Sequence, residues 1–179
     1  MVKVYLASPY GFAYSTSGFL KELRGVLRDE GWEVLDPWEF GEPMVKEFQM
    51  QSANLSDEAR VSRLRKLNDE IGNLNREALD TADIVVAGLD GPDVDSGTAS
   101  EIGYAYARGK IIVGYRGDFR LTGENEAAMI NIQVQYWIER SGGRIVRTLL
   151  NLLSALSSIQ NSQREWRHDG LDVSGVQHK

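Results

Sequence analysis

Four acidic side chains follow one short apolar run near the middle of the chain. The residues from Ile84 to Leu89 are typical of a buried strand, and Asp90, Asp93, Asp95 and Glu101 come shortly after it. Carboxylates crowded at the end of a strand repel one another unless a ligand or a raised pKa relieves the repulsion. Such a cluster indicates a site for nucleophilic or acid–base chemistry.

The same segment has a second interpretation that needs no chemistry. Thr98 and Glu101 fit a capping box, in which Thr98 is the N-cap of a helix and Glu101 is its N3 residue. Asp95 and Ser96 could then satisfy free amide groups at the start of that helix. Gly97, by contrast, allows the backbone to approach a sugar or a phosphate closely. The pattern alone leaves both interpretations open.

The residue types that are absent narrow the possible chemistry. The 179 residues include no cysteine, and the two histidines, His168 and His178, are both close to the C-terminal end. A thiolate nucleophile, a Cys-ligated zinc and a histidine-based triad are therefore not expected. No G-x-G-x-x-G motif follows the first strand-like segment, which disfavours a dinucleotide. We expect neither a metal nor another cofactor.

The charge balance favours a small-molecule substrate. The formal net charge is −6, from 26 acidic and 20 basic side chains. A nucleic-acid partner is not expected, because phosphates attract a basic surface. No apolar run reaches the roughly 20 residues that span a bilayer, and the N-terminus has no signal-peptide pattern. We therefore expect a cytoplasmic protein without a membrane partner.

Apolar runs alternate with amphipathic segments along the chain. We predict strands over 2–7, 32–35, 84–89, 111–115 and 144–146, and helices over 15–30, 56–80, 98–108 and 147–158. Residues 38–55 are predicted to form a long loop with room for a helical turn, and 131–138 is a mixed segment. The alternation predicts an α/β, doubly wound, flavodoxin- or Rossmann-like three-layer sandwich with a parallel sheet of about five strands. We expect one domain over 1–159 and a loosely ordered tail over 160–179.

In such a fold, ligands bind at the carboxyl ends of the strands. The loops after Leu6, Leu89 and Tyr115 should therefore line the site. Tyr10, in the first of these loops, could form an aromatic wall for a planar ring together with Phe12 and Trp38.

Several segments together resemble the nucleoside 2-deoxyribosyltransferase family. The resemblance rests on Val4–Pro9, Ala82–Ala87 and above all Asp95–Ala105, and Lys110–Tyr115 and Asn131–Gln133 also fit. The pattern Asp-x-Gly-Thr-x-x-Glu-x-Gly is the most specific part. The resemblance covers roughly residues 2–150 and implies a fold of the kind predicted above.

The resemblance implies three catalytic residues. Glu101 corresponds to the family's nucleophile, which attacks the anomeric carbon and forms a 2-deoxyribosyl ester. Tyr5 corresponds to a tyrosine that hydrogen-bonds and orients that nucleophile. Asp95 corresponds to an aspartate that contacts the sugar 5′-hydroxyl, which favours nucleosides over nucleotides because a carboxylate repels a phosphate. An ordinary core aromatic, for Tyr5, and a helix cap, for Asp95, remain alternatives.

Further residues are expected to contact the substrate, namely Ser8, Pro9, Tyr10, Asn75, Asp90, Ser96, Gly97, Asn131 and Gln133. Asn75 stands where family members often carry an aspartate that protonates the leaving base. An amide cannot deliver a proton at neutral pH. Either Asp90 or Asp93 takes that role, or the base leaves with less help.

The leading hypothesis is a transferase that exchanges bases between 2′-deoxyribonucleosides. Its partners would be small-molecule nucleosides and free nucleobases. One alternative is an N-glycoside hydrolase of nucleosides or nucleoside 5′-monophosphates, and another is a non-catalytic nucleotide-binding module. Asn131 and Gln133 fit the family region that reaches into a neighbouring subunit, which implies a homodimer or higher homo-oligomer with shared active sites. A polar stretch on an edge strand is the alternative for these two residues.

Overall fold

Five parallel strands form the centre of the molecule, and helices cover both faces. The computed structural model describes residues 1–169, with side chains to residue 162. The elements are β1 (Lys3–Ala7), α1 (Tyr14–Asp29), β2 (Glu33–Leu35), α2 (Pro37–Gln51), α3 (Asp57–Thr81), β3 (Ile84–Gly88), α4 (Ser96–Ala107), β4 (Ile111–Tyr115), α5 (Ile132–Arg140), β5 (Arg144–Val146) and α6 (Leu149–Asp169).

The strand order is β2-β1-β3-β4-β5, and every pairing is parallel. This is the flavodoxin-like doubly wound order, so the predicted fold class is confirmed. Tyr5 is paired with Val85 on one side and with Leu35 on the other. The sheet centre therefore places β1 and β3 next to each other, with their carboxyl ends at the same edge.

Two apolar clusters, one on each face, hold the helices on the sheet. One joins α1 and α6 to side chains such as Leu6 and Val113. The other joins α4, α5 and the end of α3 to side chains such as Val85 and Ile112. All five residues of β3 are buried, as expected for a central strand of a parallel sheet, which is covered on both faces. No helix within residues 1–169 is long and apolar enough to cross a membrane.

The segment predicted as a long loop is largely helical. α2 occupies Pro37–Gln51, and the Asp36 side chain caps its start by accepting a hydrogen bond from the Trp38 amide at 3.0 Å. Pro37 fits the first turn, where its missing N–H is not needed. Only Gly41 is buried along the whole helix. Because α2 buries so little, its sequence shows no clear helical period of apolar residues. The prediction of a long loop over residues 38–55 was wrong for this reason.

Two further elements differ from prediction. α5 is a helix with Asn131 as its N-cap, so the edge-strand alternative for Asn131 and Gln133 is wrong. α6 runs to Asp169, whereas the sequence predicted a helix end near Ser158. Polar side chains after that point hide the continuation, so residues 160–169 of the expected tail are helical. Residues 170–179 lie outside the described part of the chain, and so does the predicted disorder of that end.

Candidate active site

The crevice for a ligand in this strand order lies where β1 and β3 meet. The chain leaves β1 through α1 toward β2, and it leaves β3 through α4 toward β4, in opposite directions along the sheet. The carboxyl ends of such a pair form the usual binding crevice of a doubly wound sheet. Two of the three strand segments that carry the family resemblance, those at β1 and β3, lead to this crevice.

Tyr5 and Glu101 meet at this point. Tyr5 is fully buried on β1, and its hydroxyl donates a hydrogen bond of 2.6 Å to Oε1 of Glu101 on α4. The short distance is typical of a hydroxyl that donates to a charged oxygen. Tyr5 is therefore both a core aromatic and a hydrogen-bond partner of the Glu101 carboxylate, so these two interpretations do not exclude each other.

Burial controls the ionisation of this pair. The pKa of Glu101 is raised to about 7, first because burial removes water from the carboxylate, while Asp95 and Asp36 add repulsion. The hydrogen bond from Tyr5 acts in the opposite direction and lowers the pKa of Glu101. The pKa of Tyr5 lies well above its usual range because of burial and the neighbouring Glu101. Glu101 therefore exchanges a proton near neutral pH, whereas Tyr5 stays protonated.

The start of α4 is capped by Asp95 rather than by Thr98. Oδ2 of Asp95 accepts hydrogen bonds from the Thr98 amide at 3.0 Å and from the Thr98 hydroxyl at 3.3 Å. The capping-box alternative is therefore wrong, because Thr98 lies inside the helix and Glu101 lies beyond its first turn. A Cβ on Gly97 would lie 3.1 Å from the same oxygen of Asp95, so glycine keeps this turn open. Ser96, the first residue of the helix, is exposed.

Asp36 is a buried charge beside this site that sequence reasoning did not select. Its exposed fraction is 1%, and its two oxygens accept hydrogen bonds from the Trp38 amide and from Nη1 of Arg24, each at 3.0 Å. Burial raises the pKa of Asp36, while the Trp38 amide and Arg24 lower it. An Asp-Pro pair directly after β2, at the carboxyl edge of the sheet, is the signal that could have identified it.

The loop after β1 packs against Trp38. The indole Nε1 donates to the Ser8 carbonyl oxygen at 3.0 Å, and Phe12 packs edge-to-face on the indole with ring centroids 4.5 Å apart. A Cβ on Gly11 would lie 2.2 Å from the Trp38 ring, so only glycine permits this approach. Pro9 lies within the loop and is partly buried, and the Ser8 hydroxyl is buried with no hydrogen-bond partner among the described residues.

Tyr10 and Asp90 bind each other instead of standing free. The Tyr10 hydroxyl donates to Oδ2 of Asp90 at 3.0 Å, and the Asp118 amide donates to Oδ1 of Asp90 at 2.8 Å. Because Tyr10 is only 3% exposed, its ring offers no open face for stacking. Both Asp90 oxygens accept hydrogen bonds from the protein itself, so this carboxyl group is engaged in holding two loops together. Asp93 is exposed and accepts from the Val94 amide at 2.8 Å.

The remaining residues of the prediction lie on other helices. Asn75 is on α3, and its buried Oδ1 accepts no hydrogen bond from the described residues. Among these residues, Asn75 forms no hydrogen bond with Tyr5 or Glu101. Asn131 caps α5 by accepting from the Gln133 and Val134 amides, and its Nδ2 donates to Glu124 at 2.8 Å. The structure therefore brings Tyr5, Glu101 and Asp95 together, while contact of the other residues with substrate stays a prediction.

A family model for nucleoside 2-deoxyribosyltransferases matches residues 4–133. The chain belongs to this family. The match includes Tyr5, Asp95 and Glu101, and it ends at Gln133. The resemblance seen in the sequence is thereby confirmed.

One curated relative is an uncharacterised protein, C191.05c, of Schizosaccharomyces pombe, which is 30% identical over 122 residues. That match covers 66% of this chain and 51% of the relative, so the chain spans about half the length of the curated relative it matches. The fission-yeast protein therefore supports the relationship without supplying an activity.

Three solved structures share the fold. A conserved protein from Enterococcus faecalis V583 has a TM-score of 0.60 at 23% identity and covers 88% of this chain and 98% of its own. A 2-deoxyribosyltransferase from Bacillus psychrosaccharolyticus has a TM-score of 0.55 at 23% identity, with 78% and 90% covered. A CMP N-glycosidase from Clostridium botulinum has a TM-score of 0.50 at 21% identity, with 87% and 98% covered. At these identities the likeness concerns the fold.

Proposed function

We propose that this protein cleaves the N-glycosidic bond of 2′-deoxyribonucleosides and transfers the sugar to a second base. The observation that carries the proposal is the Tyr5–Glu101 pair, in which a hydrogen bond of 2.6 Å joins the buried Tyr5 of β1, next to β3, to the carboxylate on α4. A partly desolvated carboxylate that a buried hydroxyl orients suits attack on an anomeric carbon. Family membership supports this chemistry over other uses of a buried glutamate.

In the first step, an ionised Glu101 oxygen forms a bond to C1′ of the sugar. The C1′–N bond breaks, and its electron pair leaves with the base. In the second step, a nitrogen of another base attacks C1′ and releases its proton to solvent, while the ester bond breaks so that the electron pair returns to Glu101. The base expelled in the first step takes up a proton from solvent, so the exchange is balanced. Two inversions give overall retention, as in retaining glycosidases. The missing 2′-hydroxyl eases this chemistry. A 2′-hydroxyl withdraws electrons and would destabilise the cation-like transition state, and the deoxy sugar lacks it.

Asp95 is proposed to select a sugar 5′-hydroxyl. One of its oxygens caps α4, and a carboxylate here would repel a 5′-phosphate. Ser96 and Gly97 lie beside it at the helix start, where amide groups can approach a polar ligand. No acid is assigned to protonate the leaving base: Asn75 cannot do so, and the hydrogen bonds at Asp90 leave that carboxylate acting as an acceptor.

A hydrolase is the second candidate. The buried Ser8 hydroxyl, which lacks a partner among the described residues, can donate a hydrogen bond to a phosphate oxygen of a ligand or to a water. The two activities share Glu101 and differ in whether water or a base resolves the ester. Access of water depends on how the loops close over the site.

The deciding experiment incubates the protein with each deoxynucleoside, with and without a second free base, and separates the products. Ribonucleosides and nucleoside 5′-monophosphates are run alongside. A new deoxynucleoside identifies a transferase, and free deoxyribose identifies a hydrolase. Glu101→Gln should bind the nucleoside but give no turnover and no covalent adduct by mass spectrometry. Failure of the wild type to convert any nucleoside or nucleotide would reject both activities and leave a binding module.

The functional unit is proposed to be a homo-oligomer. An open groove between α2 and α3 is lined by mostly apolar residues, namely Val45, Phe48, Gln49, Ser52, Ala53, Leu55, Asp57, Arg60, Leu64, Leu67, Asn68 and Ile71. Exposed apolar side chains that line one groove can form part of a contact between subunits. A two-fold contact needs a patch that complements itself. The groove carries both Asp57 and Arg60, so a second copy can bring opposite charges together.

A further inference from the structure

Arg116 is a fully buried cation directly after β4, at the carboxyl edge of the sheet. Its exposed fraction is 0%. An arginine side chain keeps its charge, and burying a charge is costly unless its N–H groups find acceptors. Nη1 donates to the Leu89 carbonyl oxygen, and Nη2 lies within hydrogen-bond distance of the carbonyl oxygens of Gly91 (3.2 Å) and Arg120 (3.0 Å) and of the Thr122 hydroxyl (3.4 Å). The buried Nε has no acceptor among the described residues.

These acceptors belong to two different loops. Leu89 and Gly91 lie in the loop from β3 to α4, while Arg120 and Thr122 lie in the loop from β4 to α5. The amide of Arg116 also donates to the Val146 carbonyl oxygen at 2.8 Å, which anchors the residue to the end of β5. A single rigid guanidinium therefore ties together the segments that leave the two strands.

Asp90 extends this connection to a third loop. It lies between Leu89 and Gly91, and its carboxylate accepts from the Asp118 amide at 2.8 Å and from the Tyr10 hydroxyl at 3.0 Å. Tyr10 belongs to the loop after β1. A Cβ on Gly88 would lie 2.6 Å from the Tyr10 ring, so the ring packs directly on the end of β3.

We propose that Arg116 is a positioning residue: it holds the loops after β1, β3 and β4 in one arrangement and thereby fixes the start of α4, which carries Asp95 and Glu101. We call this set, Arg116 with Asp90 and Tyr10, the loop clamp. Its structural part stands on the hydrogen bonds alone. Its kinetic consequence rests on the proposed function.

The geometry explains why an arginine is needed. A guanidinium presents five N–H donors in a fixed plane, whereas a lysine ammonium is a compact point charge. A lysine at position 116 could keep the charge and reach one loop, but it could not reproduce donors to both loops. A shift of about 1 Å at a reacting group can lower a rate about 10²-fold. Loosening the clamp should therefore lower kcat more than it raises KM, because loss of alignment affects the reacting atoms more than binding.

The test compares Arg116→Lys with a matched arginine elsewhere on the molecule. Arg108 is 54% exposed, and its Nε donates to Asp80 at 2.9 Å. Exposed pairs of this kind contribute little to stability, so Arg108→Met serves as the control. Folding of each variant is checked by circular dichroism and thermal unfolding before any comparison.

Amide hydrogen exchange then measures how rigidly the loop clamp holds these loops, and it does not require the protein to be active. In Arg116→Lys we expect exchange to quicken by about tenfold or more in residues 89–95 and 116–122, while β1 and β3 keep their protection. Arg108→Met should leave both loops unchanged. If a folded Arg116→Lys protein exchanges like the wild type in these loops, the loop clamp is overturned.

Kinetics form the second measurement. We expect kcat of Arg116→Lys to fall about 10²-fold with KM changed less than about threefold. Loosened loops with an unchanged kcat would overturn the positioning role. A wild type that converts no nucleoside would reject the proposed function, while the exchange result would still decide the clamp, so the two failures are distinguishable.

A milder variant covers the case in which Arg116→Lys does not fold. Tyr10→Phe removes one donor to Asp90 and keeps the ring, which packs edge-to-face on Phe19 with centroids 5.2 Å apart. We expect faster exchange in residues 8–13 and 89–95 and a smaller loss of kcat, of roughly fivefold to tenfold. Unchanged exchange in both segments would overturn the clamp.

Discussion

In the proposed reaction, Glu101 has to satisfy two opposing demands. It must be ionised to attack a carbon, yet burial favours its protonated form and raises its pKa to about 7. The hydrogen bond from the buried Tyr5 hydroxyl partly offsets this cost, because it stabilises the charged form. A carboxylate with a raised pKa is also a better nucleophile than one in water. The pair therefore keeps Glu101 reactive near neutral pH.

The first prediction at this scale concerns Tyr5→Phe. The change removes the donor to Glu101 and keeps the ring, so the pKa of Glu101 should rise further. A hydrogen bond to a charged group contributes about 1.5–3 kcal/mol, which corresponds to one to two pKa units, at about 1.4 kcal/mol per unit. The acid limb of the pH–kcat profile should therefore move upward by about one unit. A limb at the wild-type position would show that Tyr5 does not control this ionisation.

The second prediction concerns the stability of Glu101→Gln. The pKa of Glu101 is 4.5 in an ordinary setting and about 7 in the folded protein. Between these values the folded chain holds a proton that the unfolded chain releases, so this group's contribution to stability falls as pH rises. Glutamine cannot ionise and can still accept from Tyr5. We expect the variant to be more stable than wild type by about 1–3 kcal/mol near pH 8 and nearly equal near pH 4. Urea unfolding at both pH values measures this, and a pH-independent difference would contradict it.

At the scale of elements, the start of α4 combines two roles in one residue. Asp95 caps the helix through the Thr98 amide, and its charge helps to raise the pKa of Glu101. An anionic cap at a helix N-terminus also interacts favourably with the helix dipole. The helix-capping role and the proposed role in substrate selection can be separated only by a substitution that keeps one of them.

Asp95→Ser and Asp95→Ala make that separation. Alanine removes the cap and should lower the unfolding free energy by about 1 kcal/mol, while serine should restore most of it. Both lack the carboxylate, so both should raise KM for deoxynucleosides about tenfold or more. Both variants also lose the repulsion between the Asp95 carboxylate and a 5′-phosphate. We therefore expect kcat/KM for nucleoside 5′-monophosphates to rise to a similar extent in both. Thermal unfolding and steady-state kinetics measure the two effects, and a serine variant with wild-type KM would assign Asp95 to capping alone.

The elements that sequence predicts well are those that bury a face. β1, β3 and β4 appear as apolar runs because both sides of a central parallel strand are covered. α3 is an exception: apolar residues at every third or fourth position predicted a helix over 56–80, although only Leu79 is buried. α2 and α5 were missed because one buries only Gly41 and the other buries only Val134 and Ile138. Their caps are the visible signal.

The candidate site follows the same logic. A motif identifies Glu101, and β1 supplies Tyr5, but the partners that come from loop geometry cannot be read in advance. Arg116 follows a strand like many surface arginines, and nothing local shows that its acceptors lie on a distant loop. Asp90 looks like an available acid until the Tyr10 hydroxyl and the Asp118 amide are seen on its oxygens.

At the scale of the whole molecule, α2 and the first part of α3 stand apart from the sheet. α3 has 25 residues, but only Leu79, near its end, is buried. Isolated helices owe most of their stability to packing of an apolar face. The apolar side chains in the groove between α2 and α3 therefore add little to the stability of a single chain. They would be buried if a second copy of the chain bound there, as proposed.

The last prediction tests that second copy with a matched pair of substitutions. Leu64 lines the groove, whereas Leu150 lies on α6 and is 76% exposed. A charge placed in a contact surface opposes association because its burial removes hydrating water, so Leu64→Glu should shift the oligomer toward monomer by about tenfold or more in the dissociation constant. Leu150→Glu adds the same charge elsewhere and should leave association unchanged. Light scattering across a dilution series gives the mass. A wild type that stays monomeric at every concentration, or an equal effect of both substitutions, would reject the groove as the interface.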